Sequence, residues 1–367
     1  MLRRSQHSQS HRGRVGNGPL HATRVGRNGA HHLLAGSRRR PRECGGTLGR
    51  RGERQKPDVQ RPHGHFQYRP RRIPHRHRLP HAVKALKRAG VKLEGDMLIA
   101  AVVGEIEKTQ WSDEFVGKEF RGYGVGTHHL VNHGVLPDMC ILGEPTDLQL
   151  VLGHYGTVWV RLSVHGHYVH TGFTRGKQDL SSVFRMKEVL PAIYDWISAW
   201  EKKAVYDGLP GVVNVGCIRG GHPWRVSRTP DRTDVFLDVR VPPTMPLKEV
   251  RVAIKQLVLD LSKKHADYRV EYETFVSVPG AEISKDHPLV KTVEACHQRV
   301  LGTPAKHSTV LWDSDASVMT RFGIETLNYG PSSGPRDAEG EKVAIETLLN
   351  TTRIYALVVA EICGAHG

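Results

Sequence analysis

Cysteine is scarce in this chain, and the few cysteines present show no motif spacing. The 367 residues contain five cysteines, none of them in a Cys-x-x-Cys pair. This usage argues against a disulfide framework and is typical of free thiols in a reducing compartment. No apolar run approaches the roughly 20 residues of a membrane span, and the N-terminus lacks the apolar stretch of a secretory signal peptide. We therefore expect a cytoplasmic protein without a membrane partner.

Acidic residues are nearly missing from the first 80 positions. Residues 1–80 contain 19 Arg and one Lys against three acids, whereas residues 81–367 contain 33 basic and 34 acidic residues. The net charge of +16 therefore arises in the N-terminal segment. A basic patch spread over a folded domain would indicate nucleic-acid binding, but the remainder of this chain is close to neutral.

The basic segment also lacks aromatic residues and hydrophobic periodicity. Its only aromatic residues are Phe66 and Tyr68. Such a stretch cannot bury enough apolar surface to offset its ordering entropy, so we predict that residues 1–81 are a basic, disordered segment. Two interpretations are open. The segment is either a native arm or the out-of-frame translation of a GC-rich gene, which also yields Arg, Gly, Pro, His and Ser without a period.

Globular patterning begins at Ala82 and predicts an α/β fold. An amphipathic helix covers 82–89, and the apolar runs 96–103 and 138–142 are typical of buried strands. Acidic residues follow both runs, namely Glu105, Glu107 and Glu144. Because ligands of open α/β sheets bind at the carboxyl ends of strands, these acids are candidate metal or active-site residues.

The middle of the chain changes to the order strand-helix-strand-strand-helix-strand. Its predicted elements are strand 157–166, helix 180–205, strands 212–221 and 234–241, helix 247–265 and strand 268–275. This order defines a ferredoxin-like module. The α/β texture then returns with a helix at 288–301, a strand at 324–330 and a helix at 341–363. We predict a first domain part at 82–152, an inserted ferredoxin-like domain at 153–279 and a second part at 280–367.

Three motifs in this frame resemble those of a known family. They are GEPTD (143–147), GHYGTVWVRLSVHG (153–166) and VHTGF (169–173). Together with the interrupted α/β domain they resemble the M20 metallopeptidases, nearest to acetylornithine deacetylase and succinyl-diaminopimelate desuccinylase, over about residues 82–364. The resemblance implies a mixed-sheet zinc-hydrolase domain interrupted by a lid and dimerisation domain. It also implies a pair of zinc or cobalt ions in each subunit and hydrolysis of the amide bond of N-acyl amino acids.

The resemblance assigns roles to residues near the two strand ends. Glu105 matches the general base, and Glu144 matches a metal ligand. The family's ligand after the base falls on Ile106, which cannot bind a metal, so Glu107 takes that role only through a one-residue shift. The sequences Gly124–Thr127 and Ser314–Ala316 match a Gly-x-Gly-Thr motif and a motif of the active-site wall.

Further matches lie in the inserted domain. His170 matches the histidine that polarises the scissile carbonyl across a dimer. Asn214 and Arg240 match the positions that hold the substrate carboxylate. We expect a homodimer formed through this domain, with the strand 157–166 or its neighbouring helix as the contact surface.

Several of the ligands that the resemblance implies are missing. The family's His-x-Asp pair and its bridging Asp belong in residues 1–81, where Asp58 is the only Asp. The final His is also absent, and Asp337 is the tentative substitute in that region. Because a zinc site needs about three protein ligands, we expect the metal pair to be incomplete and the amidohydrolase activity to be impaired.

A second hypothesis treats the protein as a non-catalytic dimeric scaffold whose basic arm binds nucleic acid. Neutralising phosphates requires only cations, which residues 1–80 supply. Against it, the arm lacks interleaved aromatic residues for base stacking, and the chain has no recognisable nucleic-acid-binding fold. Binding of nucleic acid is the less favoured interpretation, and a small-molecule N-acyl amino acid is the favoured partner.

The out-of-frame interpretation makes a prediction about the gene. Translating the other two frames upstream of the Ala82 codon should give a His-x-Asp pair followed by an Asp-rich motif containing glycine. DNA sequencing of the locus and translation in all three frames is the measurement. If neither alternative frame contains these motifs, the segment is a native arm.

Overall fold

Two larger β-sheets, each with its own helices, organise the described part of the chain. The computed structural model describes residues 78–105, 122–332 and 342–366, all within the compact unit Pro70–Gly367. The helices are α1 (Arg78–Arg88), α2 (Val125–Asn132), α3 (Ser182–Lys203), α4 (Lys248–Lys264), α5 (Pro288–Leu301), α6 (Ala316–Arg321) and α7 (Ile345–Ile362). The strands are β1 (Lys92–Leu93), β2 (Met139–Leu142), β3 (Leu150–His154), β4 (Gly156–His165), β5 (Val205–Tyr206), β6 (Leu209–Pro210), β7 (Val213–Gly220), β8 (Arg232–Val241), β9 (Val270–Val278), β10 (Ala281–Glu282), β11 (His307–Val310), β12 (Glu325–Asn328) and β13 (Ala365–His366).

The first sheet, here called the mixed sheet, contains both parallel and antiparallel pairs. Its strand order is β10-β3-β12-β2, and β11 also pairs with β3. Strands β12 and β2 run parallel, whereas β10 and β3 run antiparallel. Helices α1, α5 and α7 share one core with this sheet, which includes Ala82, Val293, Leu327 and Ile354. This arrangement confirms the predicted α/β class.

The second sheet, here called the ferredoxin-like sheet, has the strand order β7-β8-β4-β9 and is antiparallel throughout. Its elements follow the chain order β4-α3-β7-β8-α4-β9, which confirms the predicted ferredoxin-like module. Helices α3 and α4 cover one face, because both contribute to the core of this sheet through residues such as Val189, Ile193, Ile254 and Leu261.

Alternation along β8 separates the two faces of the ferredoxin-like sheet. The odd-numbered residues Thr233–Val241 are buried, and the even-numbered residues Arg232–Arg240 are half-buried. Successive strand side chains point to opposite faces, so the odd positions meet the helices. The even positions form a second, polar face, which carries Asp234, Asp238 and Arg240.

The two sheets meet where both connecting segments cross side by side. Strand β3 leads into β4 and β9 leads into β10, and the segments are paired on both sides of the crossing, as Ala281↔His154 and Thr157↔Val278. A Cβ on Gly156 would lie 2.3 Å from the Val278 carbonyl oxygen, and one on Gly280 would lie 2.6 Å from the His154 carbonyl oxygen. The chains therefore approach so closely that only glycine fits at these two positions.

The predicted buried strand at 96–103 is wrong. These residues form no strand within the described ranges, and Leu98 and Val103 are 59% and 75% exposed. A continuous apolar run is typical of a segment that packs against other parts of a protein, but it does not show that the segment is a strand. Here no described strand pairs with residues 96–103. The second apolar run is confirmed as β2.

The strand 157–166 lies inside its sheet, so a dimer partner cannot add to it edge to edge, and the expected homodimer through this strand or its neighbouring helix stays a prediction. Strand β4 is hydrogen-bonded to β8 on one side and to β9 on the other. Its backbone groups are therefore satisfied, and an interior strand cannot add a partner chain at its edge. The exposed edges of this sheet are β7 and β9.

Some predictions concern residues that the structure does not describe or domain boundaries that it does not test. The low-order segment 1–81 lies outside the described residues, apart from its last few positions in α1. The boundaries 82–152, 153–279 and 280–367 stay a prediction. No helix in the described ranges combines the length and apolarity needed to cross a bilayer.

A buried histidine lies at the crossing between the sheets. His154 is 1% exposed, and its Nδ1 lies 2.9 Å from the carbonyl oxygen of Tyr155. Its Nε2 has no hydrogen-bond partner among the described residues. Burial lowers the pKa of this imidazole to about 4, so His154 is neutral in the folded chain near neutral pH.

We predict that His154 makes folding sensitive to mild acid. In the unfolded chain the imidazole takes up a proton below about pH 6.5, but the folded chain resists this down to about pH 4. Stability is therefore lost as the pH falls between these values, by about 3 kcal/mol in total. Urea unfolding of wild type and His154→Phe across this range should show a much flatter profile for the variant.

The exposed His129 offers a control for that measurement. The substitution His129→Gln removes an exposed imidazole and shows whether the loss of any histidine flattens the profile. Parallel profiles for His154→Phe and wild type would contradict the prediction.

Candidate active site

Three consecutive side chains connect the parts of the candidate site. Asp313 Oδ1 accepts a hydrogen bond from Arg240 Nη1 at 2.9 Å, and Ser314 Oγ donates to Asn328 Oδ1 at 3.0 Å. Asp315 Oδ2 accepts a hydrogen bond from the hydroxyl of Thr127. These contacts reach the ferredoxin-like sheet, the mixed sheet and α2, respectively. We call residues 313–315 the wall segment, and none of the three side chains is more than 6% exposed.

The Gly-x-Gly-Thr motif lies against the wall segment. Gly124 precedes α2 with φ +70°, and a Cβ there would lie 2.4 Å from Asp315 Oδ1. The amide of Gly124 also donates to the carbonyl oxygen of Gly104 at 3.0 Å. Glu105, the predicted base, follows Gly104 directly and is exposed. The structure therefore places the backbone of Glu105 next to the start of α2.

Glu144 lies on a loop that is hydrogen-bonded to Gly330, just after the end of β12. It is the second residue after β2 and is half-buried. Thr146 is buried and accepts a hydrogen bond from the amide of Gly330 at 3.0 Å, while the amide of Leu148 donates to the Gly330 carbonyl at 2.8 Å. Because β2 and β12 are parallel neighbours, their carboxyl ends meet at this edge of the mixed sheet.

Arg240 lies between two carboxylates. Its Nη2 donates to Asp238 Oδ2 at 2.8 Å and its Nη1 donates to Asp313, and the guanidinium side chain is 14% exposed. Thr157 Oγ1 donates to the other oxygen of Asp238 at 2.6 Å. Asn214 is exposed and pairs directly with Asp238 across β7 and β8. The two residues assigned to the substrate carboxylate thus share one face of the sheet.

His170 lies on the loop that follows β4, away from this face. The amide of Gly172 donates to His170 Nδ1 at 3.1 Å, which leaves the ring proton of the neutral imidazole on Nε2. The loop is bonded near the start of β8, where Thr171 donates to the Ser227 carbonyl at 2.9 Å. Along β8, eight residues at 3.3 Å each separate Arg232 from Arg240, or about 26 Å.

Burial controls the ionisation of groups around α2 and β2. Burial raises the pKa of Asp315 above its usual value, against the opposing effects of the Thr127 hydrogen bond and the charge of His128. Burial, together with the negative charge of Asp315, raises the pKa of the Cys140 thiol to about 12. Cys140 is therefore a thiol and not a thiolate, which makes it a poor nucleophile and metal ligand.

A metal site is not complete within the described residues. They contain no group of three or more His, Cys, Asp or Glu side chains arranged to hold a metal ion. The tentative ligands Glu107 and Asp337 lie outside the described ranges. The described donors alone therefore do not fit a zinc or cobalt pair.

Sequence analysis did not identify Asp313 as a partner of Arg240. The neighbouring motif Ser314–Ala316 pointed to this region, and the alternation of two acids around Ser314 was a signal that both carboxylates occupy defined positions. The partner of Asp313 is Arg240, 73 residues away, and no local pattern indicates that pairing.

Comparison with known proteins identifies the family. The sequence profile of peptidase family M20/M25/M40 matches residues 79–361. The chain therefore belongs to this family. Among its relatives are acetylornithine deacetylases from Buchnera aphidicola subsp. Schizaphis graminum (24% identity over 56% of this chain and 52% of the relative) and Aliivibrio salmonicida (28% over the same shares). The chain spans about half the length of these curated relatives.

Solved structures with the same fold include two peptidases. The aminopeptidase PepT from Bacillus cereus ATCC 10987 is 16% identical, with a TM-score of 0.52 over 77% of this chain and 68% of that chain. A tripeptidase from Staphylococcus aureus subsp. aureus mu50 is 17% identical, with a TM-score of 0.51 over 65% of this chain and 61% of that chain. At these identities the similarity concerns the fold.

We predict that Gly124→Ala destabilises the chain more than a matched glycine substitution does. At Gly134, φ is +84° and nothing lies within 4 Å of an added Cβ, so Gly134→Ala should cost only the left-handed backbone strain of about 1–2 kcal/mol. Gly124→Ala adds an overlap with Asp315, which should lower the free energy of unfolding by a further amount of about 1–3 kcal/mol. Urea unfolding measures both changes.

The source of the additional loss can be tested in a second background. Removing the obstructing carboxylate with Asp315→Ala should reduce the extra penalty of Gly124→Ala. Equal losses for Gly124→Ala and Gly134→Ala would show that the close approach to the wall segment does not exist in solution.

Proposed function

We propose that the chain descends from hydrolases that cleave the amide bond of N-acyl amino acids, of the deacetylase or desuccinylase type. The observation that supports this most is the family match over residues 79–361. The convergence of Gly124–Thr127, the wall segment and Arg240 in the structure also supports it. The names of the acetylornithine deacetylase relatives suggest the substrate class.

The proposed chemistry divides between the two sheets. Glu105 is the general base that takes a proton from the attacking water and passes it to the leaving amine. The Nε2–H of His170 donates a hydrogen bond to the scissile carbonyl oxygen as negative charge develops there. Asn214 and Arg240 hold the carboxylate of the substrate.

A homodimer is part of this proposal, because His170 and Arg240 belong to opposite ends of the ferredoxin-like sheet. The loop of His170 is bonded to residues that precede β8, and the strand from Arg232 to Arg240 spans about 26 Å. We infer that one chain does not supply both groups to one substrate. A second copy, associated through this domain, would supply its His170 to the site that contains Arg240 and Glu105.

We also propose that the chain as written is impaired. Glu144 matches a ligand of the zinc or cobalt pair, and Glu107 and Asp337 are the further candidate ligands. The first His and the bridging Asp would fall in residues 1–81, and the described donors do not form a metal site. Three protein ligands are about the minimum for zinc, so binding should be weak.

The test of impairment is hydrolysis of N-acetylornithine and N-succinyl-diaminopimelate with added zinc or cobalt. The chain as written should show no appreciable turnover, whereas a version with the upstream reading frame restored should be active. Glu105→Gln in the restored version is the control and should abolish turnover. Comparable rates for both versions would contradict the proposal and would make His63, His65, His75 or His77 candidate ligands.

A mixing experiment tests the action of His170 across the dimer. In the restored version, His170→Ala and Glu105→Gln should each be inactive alone. Mixed and allowed to exchange subunits, they should regain about a quarter of the activity, because half of the dimers are mixed and each has one complete site. No recovery despite demonstrated subunit exchange would mean that His170 acts within its own chain or not at all.

A further inference from the structure

Arg240 connects two carboxylates from different sheets. Asp238 lies two residues before it on β8, while Asp313 belongs to the wall segment beside the mixed sheet. The three side chains are 14%, 23% and 6% exposed for Arg240, Asp238 and Asp313, respectively. At this burial a charge-assisted hydrogen bond is stronger than on the surface, so the pair with Asp313 holds the ferredoxin-like sheet against the wall segment.

The same strand contains a second Arg–Asp pair, and no additional acid from the described residues joins it. Arg232 Nε donates to Asp234 Oδ1 at 2.8 Å, and Ser163 Oγ donates to the same oxygen at 2.6 Å. The arrangement resembles the one formed by Arg240, Asp238 and the hydroxyl of Thr157, except that there the two donors bind different oxygens of the aspartate. Arg232 is 38% exposed, compared with 14% for Arg240. Arg232 is thus held by Asp234 and by Ser163 Oγ, to which its Nη2 donates at 3.0 Å, without a further described acid. Asp313 is therefore not needed merely to orient an arginine on this face.

Asp313 is placed where an anionic ligand of Arg240 would bind. A guanidinium presents its donors in a planar fork that fits a carboxylate. Asp313 occupies Nη1, and it belongs to the wall segment that also contacts the Gly124–Thr127 motif through Asp315. A ligand carboxylate that uses the same Nη1 donor has to displace Asp313.

We propose that Asp313 competes with the carboxylate of the ligand for Arg240, and so sets the affinity of the site for acids. This inference rests on the proposed role of Arg240. Binding of an acid exchanges one charge-assisted hydrogen bond for another, and it releases the ferredoxin-like sheet from Asp313. Asp238 keeps the guanidinium oriented during the exchange, and the contact between Trp159 and Tyr123, with ring centroids 5.6 Å apart, remains as a second link.

Calorimetric titration of the full chain tests this inference without turnover. The probes are N-acetylornithine and its α-carboxamide, which differ only at the carboxylate. Asp313→Asn should lower the Kd of the acid about tenfold, the effect of one charge-assisted hydrogen bond, and leave the Kd of the carboxamide unchanged. Asp234→Asn is the matched control and should change neither value. Asp313→Ser provides a second variant if Asp313→Asn does not fold.

The outcomes separate this inference from the role proposed for Arg240. If Arg240→Gln weakens binding of the acid but Asp313→Asn does not tighten it, the competition is refuted and the role of Arg240 stands. If Arg240→Gln leaves binding of the acid unchanged, the carboxylate does not bind there, and both ideas fail. An equal gain from Asp234→Asn, or no binding of the acid to wild type and Asp313→Asn at millimolar concentration, would also refute the competition.

Discussion

The requirement that buried carboxylates be paired governs this structure. Asp313 and Asp315 both lie in the wall segment with almost no exposure, and an unpaired buried carboxylate is strongly unfavourable. Each therefore needs a donor from another element, and each finds one, in Arg240 and in Thr127. The contact between Thr127 and Asp315 holds α2 against the wall segment, and the contact between Arg240 and Asp313 holds the ferredoxin-like sheet against the same segment. The position of Glu105 follows from the contact between Thr127 and Asp315, which fixes α2, because Gly104 is hydrogen-bonded to the glycine that precedes α2.

The sequence predicted those elements whose burial repeats with a clear period. Helix α4 buries Val250, Ile254, Leu257 and Leu261 at intervals of three and four, and β8 alternates over ten residues. The predicted order of strands and helices in the ferredoxin-like module is accordingly the observed one. Strands β3 and β11 were not predicted, although β2 and β12 of similar length were. Strand β3 ends in Gly153 and His154, and β11 reads His-Ser-Thr-Val, so neither contains a continuous apolar run like that of β2. The run 96–103 shows the opposite error, because a strand was predicted where none forms. The apolar character of a run does not specify its secondary structure.

The candidate site was predictable as a set of motifs but not as a set of contacts. The Gly-x-Gly-Thr motif and the wall motif were both recognised, yet Thr127 and Asp315 are 188 residues apart, and nothing local indicates that they meet. Arg240 illustrates a related limit. Its position on an alternating strand and in a family motif suggested a ligand-binding residue, and its two ion pairs appear only when the wall segment is folded beside it. Charge pairing across sheets depends on tertiary placement, which a single sequence does not display.

The paired crossing between the sheets has a consequence for how such a chain could be assembled or taken apart. His154 and Ala281 are direct partners in an antiparallel pair, which places their Cα atoms about 5 Å apart. A short linker could therefore join them and close the mixed sheet without the 126 intervening residues, while the excised segment would keep its own core and have adjacent ends. A module bounded in this way can be gained or lost by a single recombination event, but Asp313 would then lose its partner Arg240 and need another.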